Sequence, residues 1–327
     1  MPRIRKHDKQ EKDTRPIVVD DYIYNDPDGL SGDASGPTDS DTPDEAIRKL
    51  RGRPKEEPAE EVPAAGGESA EEIPAKPAQP SRKVYSSGVI LDDDLMPVDA
   101  KLCSFNCIYC ECGFNQPCLH PVLPTREEVR SALEAKLLQL QKEDVTPDVI
   151  TFSGNGEPTM HPEFEGIIED TCALRDRYCR KAKVSVLSNS TQLGREEVVR
   201  ALRKCDNRIL KLDSAIDTTM HAIDDPVNHR LTVDDVIGYL KKFDGDFTLQ
   251  TCFLRGTLPD GRQVDNTTPD EVAAWYAAVR LLRPKQIMIY VIDRATPVKT
   301  LEKISRERME AIATPLIAEG FSVQISA

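Results

Sequence analysis

The sequence predicts an α/β fold in which six successive β–α units build a parallel sheet, closed or partly closed into a barrel, behind a long acidic N-terminal tail. Three observations predict it. The composition changes abruptly near residue 83. Beyond that point, runs rich in Val, Ile, Leu and Phe alternate with runs of helical period. Each strand-like run ends in polar residues or glycine. In such a sheet the chemistry gathers at the carboxyl ends of the strands.

Residues 1–82 hold 11 of the 24 prolines, no cysteine and two of the 17 aromatics, Tyr22 and Tyr24. Such a stretch lacks the apolar surface needed to offset its ordering entropy, so residues 1–83 are expected to be a disordered tail and linker. Residues 84–327 are expected to form one core domain, since about 240 residues suffice for one. Within the tail, Arg51-Gly52-Arg53-Pro54-Lys55 resembles an AT-hook, a minor-groove arm. It stands alone among acids, so solvated linker charges are the preferred reading, and DNA binding by 51–55 is not expected.

The strand-like runs are VDAKLC (98–103), DVITFSG (148–154), KVSVLSNS (183–190), RILKLDSA (208–215), FTLQTCFLRG (247–256) and QIMIYVIDR (286–294). Helical periods fill the gaps. Thr125 and Glu128 have capping-box spacing and open a helix over 125–142, with Val129, Leu133, Leu137 and Leu140 on one face. Phe164, Ile167, Ile168 and Leu174 form the stripe of the next helix. Thr268, Pro269 and Glu271 start a later one, striped by Val272, Trp275, Tyr276 and Val279.

No apolar run approaches the ~18 residues needed to cross a membrane. The N-terminal MPRIRKHDKQEKD has neither a signal-peptide core nor a transit-peptide composition, so a cytoplasmic location is expected. A formal charge of −13 excludes a general attraction to nucleic acid or anionic lipid. In a reducing compartment, clustered cysteines are metal or catalytic ligands more often than disulfides, and an odd count of nine fits a disulfide framework poorly.

Four of those cysteines fall within KLCSFNCIYCECG, residues 101–113. Cys103, Cys107 and Cys110 have the spacing C-x3-C-x2-C. Three thiolates on one tight loop reach three corners of a cubane [4Fe–4S] cluster and leave the fourth iron without a protein ligand. An open coordination position is what distinguishes a reactive metal site from a closed structural one.

The stretch CSFNCIYC resembles the radical S-adenosylmethionine (SAM) signature, C-x3-C-x-aromatic-C, with Tyr109 as the aromatic residue. SGNGEPT at 153–159 is similar to the superfamily's GGE motif, with Asn155 in place of its second glycine. Later strands end in Ser188-Asn189-Ser190, KLDSA, FLRG and IYVIDRATP, endings that resemble the wybutosine-biosynthesis-like Fe–S oxidoreductases of that superfamily. The resemblance covers roughly 85–325 and implies a partial (β/α)6 radical SAM barrel.

It also implies a cofactor pair, a [4Fe–4S] cluster on Cys103, Cys107 and Cys110 together with SAM. Reductive cleavage of SAM would give a 5′-deoxyadenosyl radical that abstracts hydrogen from a substrate, with an electron donor such as flavodoxin or ferredoxin. Residue by residue, Gly154, Asn155, Gly156 and Glu157 match the segment that holds the SAM amino group. Tyr109 matches the residue near the adenine, and Asn189 a ribose or carboxylate contact. Asp213 is expected at the ribose or the substrate, while Arg255 and Arg294 end strands where a guanidinium suits the SAM carboxylate or an anionic substrate. Glu157 would also serve as a helix cap, and Asp213 as a partner of Lys211.

Cys112, Cys118 and His120 raise the alternative of a non-enzymatic zinc module, although no second paired knuckle follows. Cys112 is read as a thiol beside the cluster or facing substrate. Cys172 and Cys179 are read as small buried hydrophobes on one helix. The substrate is left open between an RNA base, a protein or peptide (as for an activating enzyme) and a small molecule.

Overall fold

The structure, a computed structural model, describes residues 81–85, 88–93, 95–97, 101–115 and 122–327. The tail with its 51–55 segment, residues 98–100 of the expected first strand, and Cys118 and His120 lie outside the described residues.

The strands are β1 (Ser81–Tyr85), β2 (Gly88–Asp93), β3 (Val149–Phe152), β4 (Lys183–Ser188), β5 (Asn207–Lys211), β6 (Thr248–Thr257), β7 (Gln263–Asp265), β8 (Gln286–Val291), β9 (Leu301–Lys303) and β10 (Val323–Ser326). They lie in the order β1-β2-β3-β4-β5-β6-β8-β10. β1 is antiparallel to β2, and every later neighbour on this path is parallel. β7 and β9 pair antiparallel with the outer end of β6. Parallel neighbours need crossovers. These are supplied by α1 (Arg126–Lys142), α2 (Phe164–Tyr178), α3 (Glu196–Lys204), α4 (Asp217–Asp224), α5 (Val233–Leu240), α6 (Pro269–Leu282) and α7 (Arg306–Ala318). Each crossover steps to the next position in the same direction, which builds a barrel wall rather than a doubly wound sheet. The partial-barrel expectation therefore holds.

Local chemistry sets the helix starts. The Thr125 hydroxyl accepts from the Glu128 amide, and the Glu128 carboxylate accepts from the Thr125 N–H at 2.7 Å. The buried stripe of α1 is Val129, Leu133, Leu137 and Leu140, as its period requires. In α6, Thr268 caps and Pro269 fills the first turn, with Val272, Trp275 and Val279 inward. Tyr276 is only partly buried, and its hydroxyl donates to the Ile312 carbonyl at 2.7 Å.

Three features differ from the sequence reading. The leading parallel strand is Gly88–Asp93, not 98–103. The place beside β3 is taken by the ladder Ile90↔Val149 to Asp93↔Phe152, and Leu102 retains only an isolated bridge to Gly156. A seventh parallel strand, β10, pairs on one side with β8; its four residues follow α7 without a long apolar run. Cys179 lies just past the end of α2 and is buried, whereas Cys172 is half-buried.

The core runs between the sheet and the helices. Trp275, Phe152, Phe164, Phe247 and Phe253 are almost fully buried, each such side chain contributing about 1.5–3 kcal/mol or more by its area. The Trp275 indole N–H donates to the Thr251 hydroxyl at 3.0 Å, so the ring is buried without an orphaned donor.

Candidate active site

The loop carrying the cysteines lies across the carboxyl ends of the strands and is held by backbone on both sides. The Leu102 N–H donates to the Asn155 carbonyl at 3.2 Å, and the Leu102 carbonyl accepts from the Glu157 N–H at 3.0 Å. On the other side, the last turn of α4 presents its free carbonyls. Asp224 O accepts from the Asn106 N–H at 2.9 Å, and Ile223 O from the Ile108 N–H at 3.0 Å. Val227 N–H donates back to Ser104 O at 2.9 Å. The Asn115 amide donates to the carbonyls of Cys103 and Phe105 at 3.0 and 3.2 Å.

Two sulfurs of the C-x3-C-x2-C motif meet a nitrogen donor. Asn189 Nδ2 lies 3.5 Å from Cys103 Sγ, and Lys211 Nζ lies 3.0 Å from Cys107 Sγ. Cys110 lies near the side chains of Cys112 and Lys101, whose Nζ donates to the Gly113 carbonyl at 2.8 Å. The consequences differ with burial. The Cys110 thiol is drawn down to about 5, chiefly by Cys112, with burial opposing and Lys101 assisting. Burial pushes Cys103 up to about 11 against the pull of Lys101, and pushes Cys107 up against the pull of Lys211. Burial also acts against the Lys101 ammonium, but its attraction to the three cysteines outweighs this and raises its pKa.

Beneath the loop lies a buried charged floor. Lys211 Nζ contacts Asp213 Oδ2 at 3.1 Å and Asp224 Oδ1 at 2.7 Å. The Tyr109 hydroxyl donates to Asp213 Oδ2, and the Cys252 N–H donates to Asp213 Oδ1 at 2.8 Å. Burial disfavours the Lys211 ammonium, but Asp213, Asp224 and Cys107 more than compensate, so its pKa lies well above the ordinary value. Burial, then the Asp213 carboxylate, hold Tyr109 well above the usual phenol range.

The GNGE segment is built for close approach. Gly154 and Gly156 have φ of 129° and 146°, and a Cβ on Gly156 would stand 1.9 Å from the Leu102 carbonyl oxygen. Asn155 Nδ2 donates to Pro97 O at 3.2 Å. The Glu157 carboxylate is 1% exposed. It accepts from the Thr159 N–H at 3.1 Å, from the Thr159 hydroxyl, and from the Asn189 N–H at 2.6 Å. Asn189 in turn reaches the cysteine loop, its Nδ2 donating to Ser104 Oγ at 2.9 Å.

A cleft of about 360 Å³ opens beside Cys110, lined by Tyr109, Leu187, Gln250, Tyr290 and Arg294 among others. Arg294 Nη1 pairs with Glu111 at its mouth at 2.8 Å. Of the residues anticipated from sequence, the structure brings Tyr109, Cys110 and Arg294 to this cleft. Asp213 lies beneath Tyr109 with both carboxylate oxygens engaged. Arg255 is not brought to the site. It is exposed and pairs with Glu302 at 2.8 Å, because β6 runs on past the sheet to join β7 and β9. Sequence reasoning missed Lys101 and Asp224, and gave Lys211 only as a partner of Asp213. The alternation K-x-D at 211–213 signals a shared strand face, but nothing in the sequence brings Asp224 back under Cys107.

The residues present fit an iron–sulfur cluster, with three thiols on one loop and nitrogen donors beside two of their sulfurs. Among the described residues, no three His, Cys, Asp or Glu side chains stand where a single metal ion could be held. No helix among them is long and apolar enough to cross a membrane.

Residues 99–260 match the model of the Radical SAM superfamily. The chain is 24% identical over 226 residues to a protein named GTPase Obg of Brachyspira hyodysenteriae, covering 68% of this chain but 31% of that relative, so it spans under a third of its length. It is 24% identical over 243 residues to a UPF0026 protein of Helicobacter pylori, covering 73% of this chain and 72% of the relative. In fold it is similar to a radical SAM methyltransferase from Sphaerobacter thermophilus, with a TM-score of 0.55 and 15% identity over 75% of this chain and 67% of that one. With the cysteine loop, the partial barrel and the family match in agreement, residues 99–260 form a domain of the radical SAM superfamily.

Proposed function

We propose that this protein is a radical SAM enzyme holding a [4Fe–4S] cluster on Cys103, Cys107 and Cys110. The observation that carries the reading is that the three thiols share one loop at the strand ends, with the Asn189 amide 3.5 Å from Cys103 Sγ and the Lys211 ammonium 3.0 Å from Cys107 Sγ. Bound together, such a cluster and SAM supply a 5′-deoxyadenosyl radical for hydrogen abstraction.

The chain's own residues divide the remaining tasks. The backbone of Gly154, Asn155 and Gly156 is assigned to the SAM amino end, since it lies beside the cysteine loop with Cys112 Sγ 3.6 Å from Gly154 O. Glu157 and Asn189 hold that segment against the end of β4 and against Ser104, with their polar groups spent on protein partners. Tyr109, fixed by Asp213, forms one wall of the cleft, and Arg294 is assigned to an anionic group of SAM or substrate at its mouth. The one electron required is assigned to a flavodoxin- or ferredoxin-type donor, and an RNA base is favoured as substrate because of the strand endings alone. A protein side chain, as in an activating enzyme, is the second reading.

Anaerobic reconstitution with iron and sulfide tests the core of this proposal. About four irons per chain are expected, with an EPR signal of the reduced cluster that changes when SAM is added. Cys103→Ala, Cys107→Ala and Cys110→Ala should each abolish the cluster, while Cys112→Ala should retain it. Bound zinc with no charge-transfer absorption would replace this reading with the zinc module. Release of 5′-deoxyadenosine in the presence of bulk tRNA, cell peptides or metabolite pools separates the substrate classes.

A further inference from the structure

An ammonium group has three N–H donors. Those of Lys211 face three acceptors: Asp224 Oδ1 at 2.7 Å, Asp213 Oδ2 at 3.1 Å and Cys107 Sγ at 3.0 Å. The rest of the group is enclosed by aromatic faces, with the ring centroids of Tyr109 and Phe105 at 4.7 and 5.3 Å from Nζ. The two carboxylates are themselves fixed, Asp213 by the Cys252 N–H and the Tyr109 hydroxyl, and Asp224 by its place in the last turn of α4, which also grips the cysteine loop. Lys211 therefore has one orientation open to it. Nζ is also nearer to Cys107 Sγ than is the closest Asp224 oxygen, at 3.5 Å.

Burying a lysine between two aspartates is costly, and stability alone would be served as well by apolar side chains of similar volume. The arrangement does one thing that apolar residues would not, which is to direct a cationic N–H at one thiolate in a water-poor site.

We propose that Lys211, oriented by Asp213 and Asp224, is a positioning residue that donates a charged hydrogen bond to the Cys107 thiolate and thereby raises the reduction potential of the cluster bound there. This rests on the cluster assignment above. The step affected is a one-electron reduction by an external low-potential reductant, in which no protein bond forms or breaks. Reduction adds one negative charge to the cluster and its thiolates. A cationic donor at a sulfur stabilises the reduced form more than the oxidised form, and hydrogen bonds to the sulfurs are one of the means by which proteins set these potentials.

The test is an EPR-monitored redox titration of the reconstituted holoprotein without SAM. Dithionite and mediators serve as reductant, at about pH 8.5, where carboxyl groups are ionised. Lys211→Met is expected to lower the reduced-to-oxidised ratio at a fixed potential at least tenfold, or about 59 mV for a one-electron couple. Asp224→Asn should shift the ratio the opposite way, because it removes a negative charge and leaves the ammonium in place. If Lys211→Met does not fold with two carboxylates left unpaired, the double variant Lys211→Met/Asp224→Asn relieves that repulsion and should still titrate below the wild type. Loaded variants with wild-type potentials would overturn the proposal, as would single variants that shift in the same direction. A wild-type protein that takes up no iron and sulfide would overturn the cluster assignment itself, and this inference with it.

Discussion

Replacing Gly156 by alanine should disable the entry to the cysteine loop. A Cβ there would stand 1.9 Å from Leu102 O, 2.7 Å from Leu102 C and 2.9 Å from Met96 Cγ. Since comfortable contacts between heavy atoms begin near 3.5 Å, Leu102 would have to retreat by roughly 1.5 Å. That movement breaks the Leu102 N–H bond to Asn155 O and the Glu157 N–H bond to Leu102 O, at 3.2 and 3.0 Å. Two such bonds are worth about 1 kcal/mol each, and alanine at a φ of 146° adds about 1–3 kcal/mol of backbone strain. A total near 4 kcal/mol corresponds to a fall in Tm of roughly 8–16 °C for a domain of this size. Cys103 follows Leu102 directly, so iron content after reconstitution should fall too. Gly113→Ala is the control, because Gly113 has φ 75° but open space around a Cβ, leaving a strain cost of only about 1–2 kcal/mol. Thermal unfolding by circular dichroism and iron analysis read both variants. A Gly156→Ala protein no less stable than Gly113→Ala, and fully loaded with iron, would refute the steric reasoning.

Glu157→Gln should cost about 2–4 kcal/mol even without SAM, because it turns amide hydrogens toward N–H and O–H donors; urea unfolding that matches the wild type would return this carboxylate to a ligand-binding role. His161 donates from Nε2 to Pro124 O at 2.7 Å and accepts the Glu163 N–H at Nδ1 at 3.1 Å, and burial holds its pKa below the ordinary 6.5. With the folded value below the unfolded one, its contribution to stability is complete above 6.5 and is lost as pH falls through the folded value. His161→Gln should accordingly flatten the difference in stability between about pH 7.5 and about pH 5.5, a flattening that paired urea titrations would detect. Glu271→Ala should destabilise by about 1–2 kcal/mol, as a thermal melt would show, by removing the buried carboxylate that accepts from the Ser214 and Thr219 hydroxyls at 2.7 and 2.5 Å. Deleting residues 1–80, just ahead of β1, should leave iron content unchanged, since no assigned ligand lies there and the segment is poor in core-forming residues; loss of iron would place part of the tail against the core.

The cysteine triplet, the capping box at Thr125 and Glu128 and the stripe of α1 were legible because they are local patterns. Spacing along the chain sets which side chains share a loop or a helix face, whatever the rest of the fold does. The site was legible only as a set of strand ends. Arg255 and Arg294 both terminate strand-like runs, yet one pairs on the surface with Glu302 and the other stands at the mouth of the cleft. What separates them is the continuation of β6 into a ribbon with β7 and β9, a long-range pairing. The displacement of the first strand from 98–103 to 88–93 has the same origin, since both stretches contain short apolar runs and only the ladder with β3 distinguishes them.

By itself, then, the sequence determined the class of fold, the alternation of its units and the spacing of the clustered thiols, because each follows from periodicity or spacing within a few turns of chain. Tertiary structure alone decided what surrounds those thiols. Lys211 and Asp224 are 104 and 117 residues from Cys107, and Glu157 meets Asn189 across 32 residues. In a buried site those partners determine how each charge is balanced, because a group removed from water must find its compensation in whatever the fold brings against it.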